Sequence, residues 1–398
     1  MINNEKPGIF ERFFDSEKVA GFVLIFCTVL SLVLTNYVLG EGYVELMHKK
    51  IDLSFAGLNL NYSFEHWVND GLMAIFFLMV GLEVEREMYK GELAEFKKAI
   101  LPIVAALGGI CIPSLIHFFL NKGTPTQPGF AIPMATDIAF ALGMLAIAGK
   151  RVPLSVKIFL TALAIIDDIG AIVVIAFFYT KTVLFSYLLI AAAILGFLYV
   201  LNRLKVKQLI FYIIPGIVVW YCFLKSGVHA TIAGVLLAFV IPFDHDDDVN
   251  KSYTLLKALH KPVAFIILPI FALVNTAIIL PSNIFESLNN NNSKGIIIGL
   301  AIGKLAGIFT FPFILVKLGF AKLQSGITWK NLAGIGCLGG IGFTMSMFIS
   351  NLAFTDESTI SNSKLSILIG SFISTIAGLI VFMTNPLPAP EALEKNSL

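Results

Sequence analysis

Four charged residues lie inside long apolar stretches of the sequence: Asp137, Asp167, Asp168 and Lys304. A charge at the centre of a membrane span costs about 2.5–3.5 kcal/mol on insertion scales, so each of these residues needs a partner or a function. A single Asp–Lys pair could simply join two helices. Three carboxylates and one ammonium, however, leave acidic oxygens for something else, and we expect a proton or a small hard cation, which prefers oxygen ligands.

The adjacent pair Asp167 and Asp168 could perform exchange chemistry. Successive helical residues point about 100° apart, so one carboxylate can meet Lys304 while the other faces a cavity. A carboxylate in a poorly hydrated site holds a proton more tightly than one in water, and a proton and a cation compete for the same oxygens. Such competition is sufficient for antiport if the empty site does not switch sides. Thr136 could add an oxygen, although its hydroxyl could equally bond its own helix.

The elements that must position these residues are membrane spans. Charged residues make up 14% of the 398-residue chain, against about 25% in soluble domains, and the mean hydropathy is +0.86. This composition predicts an all-α integral membrane protein and excludes a soluble or disordered chain. A net charge of +2 without a basic tract excludes nucleic-acid binding. The four cysteines lie in apolar stretches, so they do not indicate a disulfide framework.

Apolar runs of about 20 residues predict twelve transmembrane helices. The predicted spans are 19–39, 66–88, 99–120, 125–149, 153–178, 183–201, 208–223, 226–242, 259–280, 295–316, 327–353 and 362–384. Twenty of the 28 basic residues fall on one side of this arrangement and seven on the other, which predicts that both termini are cytoplasmic. We expect a cytoplasmic segment 1–18, one transporter domain 19–384 and a cytoplasmic tail 385–398.

Spans 4 and 11 carry signs of interruption at mid-membrane. Pro133 removes a helix hydrogen bond four residues before Asp137, and five glycines crowd into 334–342. Close packing through small residues is an alternative for span 11. Because spans 3–5 (99–178) and 10–12 (295–384) each have the break in the middle helix and run in opposite directions, the sequence predicts inverted repeats around a binding site.

One connection has the pattern of a β-hairpin. Residues 51–64 alternate apolar and polar on both sides of Ala56-Gly57, on the predicted outer side. This stretch could be a plain surface loop, or an edge strand offered to a second copy of the chain. The acidic run 244–248 is interpreted as a solvated loop, not a metal site.

Five stretches resemble the bacterial sodium/proton antiporter A (NhaA) family: 68–87, 135–143, 161–180, 225–235 and 340–349. The resemblance covers about residues 10–385. It implies a multi-pass protein of the bacterial inner membrane that exchanges cytoplasmic sodium or lithium for external protons. It also implies electrogenic transport, activation at alkaline pH, a homodimer joined partly by the outer hairpin, and neither enzymatic activity nor a cofactor.

The resemblance also implies roles for individual residues. Asp167 and Asp168 match the family's ion- and proton-binding pair, and with Thr136 they would hold the transported sodium. Asp137 and Lys304 match residues that support this site. The residues that match the family's cytoplasmic funnel and pH response are Glu83, Glu87, His229 and His260. Asp70 matches a further acid of the same span as Glu83 and Glu87. In the predicted loop before span 9, Leu256-Lys257 replaces the family's glutamate–histidine pair, which affects the expected pH set-point.

Two other functions fit buried carboxylates less well. An intramembrane aspartyl protease would need acids on two facing helices, whereas here two acids are adjacent. A passive cation channel would need rings of oxygens and several weak sites, whereas this chain has one deep charged site.

Overall fold

The computed structural model describes residues 17–54, 59–180, 183–246, 250–324 and 326–386. The helices and strands are α1 Val19–Val38, α2 Glu41–His48, β1 Lys50–Asp52, β2 Asn61–Ser63, α3 Phe64–Lys90, α4 Phe96–Leu120, α5 Gln127–Met134, α6 Ile138–Ile147, α7 Leu154–Phe178, α8 Phe185–Arg203, α9 Ile210–Ser226, α10 Thr231–Ala238, α11 Lys251–Asn275, α12 Asn291–Lys317, α13 Trp329–Gly339, α14 Phe343–Ala353 and α15 Glu357–Met383. Short helical turns occupy Glu92–Ala94, Gly149–Arg151 and Ile284–Ser287.

Eight of the described helices are long and apolar enough to cross a membrane, and the count rises to ten if the bent pairs α5/α6 and α13/α14 are single spans. The protein is therefore a multi-pass membrane protein. The segments predicted as spans 7 and 8 form the shorter helices α9, of 17 residues, and α10, of eight residues.

Three helices begin four or more residues earlier than predicted, because polar residues cap their first turns. Asn250 accepts a hydrogen bond from the Tyr253 amide and starts α11 eight residues before the predicted span. Leu256 and Lys257 therefore lie in a helix, which corrects the prediction that they lie in a loop. Asn290 and Asp356 cap α12 and α15 in the same way.

The predicted hairpin is present but short. β1 and β2 pair antiparallel, with Lys50 opposite Ser63 and Asp52 opposite Asn61. Residue 64 already begins α3, so the strands do not extend over the whole of 51–64. The predicted turn at Ala56-Gly57 lies outside the described residues. Lys225 Nζ on α9 donates to the Tyr62 hydroxyl (2.9 Å), which attaches the hairpin to a helix.

The chain contacts divide into two compact units. Unit 1 comprises the described residues 17–22, Glu95–Asp167 and the chain from Asn283 onward; unit 2 comprises Val23–Ala94 and Asp168–Ser282. Two successions of a long helix, a broken pair and a long helix lie in unit 1, except that α7 passes into unit 2 after Asp167. In unit 2, α3 and α10 approach closely: a Cβ at Gly234 would lie 2.2 Å from the Ala74 carbonyl oxygen, so only glycine fits there.

Candidate ion-binding site

The two broken helices of unit 1 meet at their breaks. The chain bends by 40° between α5 and α6 and by 44° between α13 and α14. The Asp137 amide donates to the Ile341 carbonyl (2.7 Å), so one break is hydrogen-bonded directly to the other. The predicted interruptions are confirmed. Non-helical backbone is tolerated inside a membrane only where it is buried in protein or lines a cavity, and these residues are buried.

Asp137 caps two helices at once. Its Oδ1 accepts from the Phe140 amide of α6 (2.9 Å), and its Oδ2 accepts from the Thr344 amide of α14 (3.1 Å). The Thr344 hydroxyl donates to the same oxygen. Helix amino termini carry partial positive charge, so this carboxylate lies where it offsets two of them together.

Asp167 is buried beside a cation and a hydroxyl. Lys304 Nζ forms a buried ion pair with Asp167 Oδ2, and the Thr136 hydroxyl lies 2.6 Å from the same oxygen. That hydroxyl also lies 2.8 Å from the Gly339 carbonyl, the last residue of α13. Because the hydroxyl has one hydrogen, it donates to one of these acceptors at a time. Thr136 lies in the break, so its hydroxyl does not bond its own helix.

The second carboxylate oxygen of Asp167 has different surroundings. Among the residues that the structure describes, Asp167 Oδ1 has no hydrogen-bond partner although it is buried. A buried acceptor without a donor is uncommon in native proteins. The oxygens that could hold a cation here are therefore Asp167 Oδ1, the Thr136 hydroxyl and the Gly339 carbonyl.

Lys304 reaches this position from α12. A π-helical turn, Gly299–Gly303, immediately precedes it, and the side chain is fully buried. Such turns inside α-helices are frequent at functional sites. Asp168 follows Asp167 on α7 and is also buried, with its side chain turned about 100° around the helix.

The structure thus brings Thr136, Asp137, Asp167 and Lys304 together in unit 1. Asp168 is the first residue of the second stretch of unit 2. The remaining predicted residues also belong to unit 2, and among them Asp70, Glu83 and Glu87 lie toward the two ends of α3. Near its beginning, His66 Nε2 lies 3.2 Å from Asp70 Oδ2. His229 Nε2 lies 3.0 Å from the Tyr179 carbonyl.

At the other end of α3, Glu83 and Glu87 are half-buried, and Glu87 Oε2 accepts from the Glu92 amide (3.0 Å). His260 is exposed on α11.

Sequence reasoning missed a further acid near this end of α3, and this one is buried. Glu85 is buried, and its Oε2 accepts from the Ser252 hydroxyl at 2.6 Å. On the same face of α11, Leu256 is buried one turn later. The Tyr253 ring lies between two cations, with Lys257 Nζ at 4.2 Å and Arg86 Cζ at 4.8 Å from its centroid.

Thr344 was also missed. It lies in the quoted stretch 340–349, where a hydroxyl directly after a glycine-rich break could have indicated a cap. The backbone acceptor Gly339 has no sequence signal beyond the glycine cluster.

Comparison with known proteins confirms the resemblance. The family model described as Na+/H+ antiporter 1 matches residues 11–382. An Na(+)/H(+) antiporter NhaA of Flavobacterium psychrophilum is 55% identical over 371 residues, which cover 93% of this chain and 94% of that protein. The NhaA antiporter of Dechloromonas aromatica is 56% identical, with 91% and 92% covered, and that of Cytophaga hutchinsonii is 52% identical, with 94% of each covered. Because the match includes both broken helices and nearly all of the remaining chain, the chain belongs to the Na+/H+ antiporter 1 family, whose members are transporters and not enzymes.

Proposed function

We propose that the protein exchanges cytoplasmic sodium or lithium for external protons by competition at Asp167 and Asp168. The observation that carries this proposal is the asymmetry of Asp167. One buried oxygen is held by Lys304 and Thr136, while the other has no donor among the described residues. A proton on that oxygen, or a cation beside it, would satisfy it, and the two exclude each other.

Sodium needs several oxygens, and unit 1 supplies candidates. The Thr136 hydroxyl and the Gly339 carbonyl lie 2.8 Å apart, next to Asp167. When sodium arrives, its positive charge competes with the Lys304 ammonium for the same carboxylate, so the ion pair weakens. Asp168, the next residue of α7, is the second acid that we assign to proton and sodium binding.

Asp137 supports this site without binding the ion. Both of its oxygens are engaged by amides or a hydroxyl of α6 and α14. Its charge holds the two breaks together and balances two helix amino termini.

We also propose a topology for the exchange. The broken pairs count as single spans, and α9 and α10 complete twelve spans with both termini in the cytoplasm. The two successions in unit 1 then form inverted repeats. If more protons enter than sodium ions leave, the membrane potential contributes about 2.3 kcal/mol per net charge per 100 mV.

The remaining predicted residues are assigned to regulation and assembly. Glu83, Glu87 and His260 lie toward the end of α3 that we place at the cytoplasmic funnel, and Asp70 and His229 lie toward the opposite end. These groups, the histidines in particular, would make exchange respond to alkaline pH. The hairpin would join two copies of the chain into a homodimer.

Sodium-induced recovery of a quenched pH dye in proteoliposomes, scanned from pH 6.5 to 9, tests the exchange. We expect a signal with sodium or lithium and none with Asp168→Asn, because a neutral amide neither binds a proton nor balances sodium. A Ser358→Ala variant, which changes an exposed residue in the first turn of α15, is the control for purification and reconstitution. Exchange by Asp168→Asn would refute the site, and sodium flux without proton counter-movement would show a channel.

A further inference from the structure

His117 near the end of α4 contacts two further elements of unit 1. The side chain is fully buried, and its Nε2 lies 3.1 Å from Asn292 Oδ1 on α12. The imidazole lies between two glycines. A Cβ at Gly129 of α5 would lie 3.1 Å from the ring Cε1, and one at Gly295 of α12 would lie 2.7 Å from Cδ2. The ring therefore fills a space that exists because both neighbouring residues lack side chains.

Asn292 extends this contact to a fourth element. Its Nδ2 donates to the Ser363 hydroxyl of α15 at 2.8 Å, and that hydroxyl donates to the Thr359 carbonyl. Because the amide nitrogen of Asn292 donates to Ser363, its oxygen must accept from His117. His117 is therefore the Nε2–H tautomer, and its Nδ1 has no hydrogen-bond partner among the described residues.

A seam of small residues runs from His117 toward the ion site. The seam glycines recur every four residues along α12: Gly295, Gly299, Gly303 and Gly307. A Cβ at Gly303 would lie 2.9 Å from Pro113 Cα, and one at Gly307 would lie 2.0 Å from the Gly108 carbonyl oxygen. The two backbones are in direct contact, and because this apolar packing is not directional, a polar contact such as His117–Asn292 adds a specific constraint on the register of α12 along α4.

The position of Lys304 depends on that register. It follows the third seam glycine directly, and each residue of helix moves it by about 1.5 Å along the axis. A misplacement of about 1 Å is sufficient to weaken a site that relies on orientation. The same contact holds α5, which leads directly to Thr136.

We infer that His117 and Asn292 are positioning residues that fix the register of α12 against α4 and α5, and through it the position of Lys304 beside Asp167. This inference rests on the proposed ion site. The hydrogen bond acts at one end of the seam, about 18 Å of helix from Lys304. Neither residue touches the ion.

Sodium titrations of exchange in proteoliposomes test the inference with His117→Leu, Asn292→Leu and their double variant. We expect each single change to raise the KM for sodium about three- to tenfold, with a smaller change in maximal rate. The double variant should be no worse than the poorer single variant, because both changes remove the same His117–Asn292 bond and Asn292→Leu alone already removes the bond to Ser363. His117→Gln retains a nitrogen donor, so its KM for sodium and its pH profile should match those of the parent.

Thr310→Val is the matched control, since Thr310 also lies on α12 but, among the described residues, its hydroxyl bonds its own helix alone, at the Ala306 carbonyl. An unchanged KM in both single variants, additive effects in the double variant, or no recovery with His117→Gln would overturn the inference. A shifted pH profile in His117→Gln would also overturn it, because it would show that the imidazole acts by titrating.

A spin-label distance reports the register without transport. Labels at Phe119 of α4 and Ile302 of α12, both exposed, are placed in a chain whose four free cysteines are replaced. We expect His117→Leu to broaden or shift this distance by about 1.5 Å or more, and His117→Gln to leave it unchanged. An unchanged distance in His117→Leu would refute the register role, whereas exchange by Asp168→Asn would refute the ion site alone.

Discussion

The two carboxylate oxygens of Asp167 have different surroundings. Oδ2 is held by Lys304 and Thr136, whereas Oδ1 has no hydrogen-bond partner among the described residues, and we propose that it binds the transported ion. A fully buried ion pair is costly to maintain, because removing both charges from water offsets much of their attraction. The ion pair is therefore weaker than the direct attraction between its two charges. A competing cation can displace Lys304 from Asp167 without matching that full attraction.

Thr136→Val should raise the KM for sodium about tenfold, because hydrogen bonds to charged groups are worth about 1.5–3 kcal/mol. The valine keeps the volume and removes the oxygen next to Asp167. Thr136→Ser retains the hydroxyl and should behave like the parent in the same sodium titration. If valine and serine give the same KM, the hydroxyl is not part of the ion site.

The four intramembrane charges were predictable from their type and setting, whereas their partners were not. Asp137 and Lys304 are conspicuous in apolar sequence because burial of charge is costly. Glu85 and His117 are equally buried but lie nearer the ends of their helices, where the sequence is mixed. Only three-dimensional packing shows that Ser252 and Asn292 meet them.

At the level of elements, Asp137 joins the starts of α6 and α14. Asp137→Ala should lower stability by about 2–4 kcal/mol, because two caps and their charge are lost together. Asp137→Asn keeps acceptor capacity and should lose less. Asp356→Asn, at the exposed cap of α15, is the matched control and should have a small effect. Thermal unfolding in detergent measures the difference, and equal losses at the two caps would contradict the double-capping role.

The contact between α3 and α11 yields a prediction on pH response. In Leu256→Glu with Lys257→His, the new carboxyl lies one turn from Ser252 and hence near Glu85. Two neighbouring buried carboxyls interact, so their protonation is coupled. We expect a steeper or displaced activation of exchange between pH 6.5 and 9, with similar maximal exchange.

Lys257→His alone is the control for that experiment, since it removes the cation stacked on Tyr253 without adding a carboxyl. The same pH profile in the parent, the single and the double variant would show that this contact does not set the response.

Element boundaries were predicted well where apolar runs are long and poorly where helices are amphipathic. The breaks near Pro133 and 334–342 follow from residue types that cannot continue a helix easily. Residues 251–258 of α11 carry two lysines, so they were interpreted as a loop, although the cap Asn250 was a visible signal. For α10, hydropathy indicated a whole span, but regular helix is confined to eight residues.

For the whole molecule, we propose that the hairpin joins two copies of the chain. Ile51 and Leu53 are apolar and exposed, and β1 and β2 form only a two-stranded sheet. Such a sheet is marginal in water by itself. Deleting residues 51–62 should convert dimers to monomers in detergent, measured by light scattering, with most exchange retained.

Lys225→Met tests whether the hairpin must be attached to α9 in order to join two copies of the chain. The change removes the hydrogen bonds from Lys225 to the hairpin and leaves both strands in place. It should keep more dimer than the deletion does. A dimer fraction that is unchanged by the deletion would exclude the hairpin as the joint.

The pairing of Asp167 with Lys304 also constrains how the protein is made. The two residues are 137 positions apart. At about 5–20 residues per second, the aspartate leaves the ribosome about 7–27 s before the lysine. During that interval α7 must insert into the membrane although the lysine that pairs with Asp167 has not yet been synthesised. A charge at the centre of a span costs about 2.5–3.5 kcal/mol on insertion scales.

The elements that complete this site, α12 to α15, are the last to be translated. A nascent chain that stops after Ser282 would contain all of unit 2, together with an Asp167 that lacks its Lys304 partner. The buried charge of Asp167 would remain uncompensated in any fragment that ends before residue 304. We therefore expect such fragments to insert less stably than chains that include Lys304.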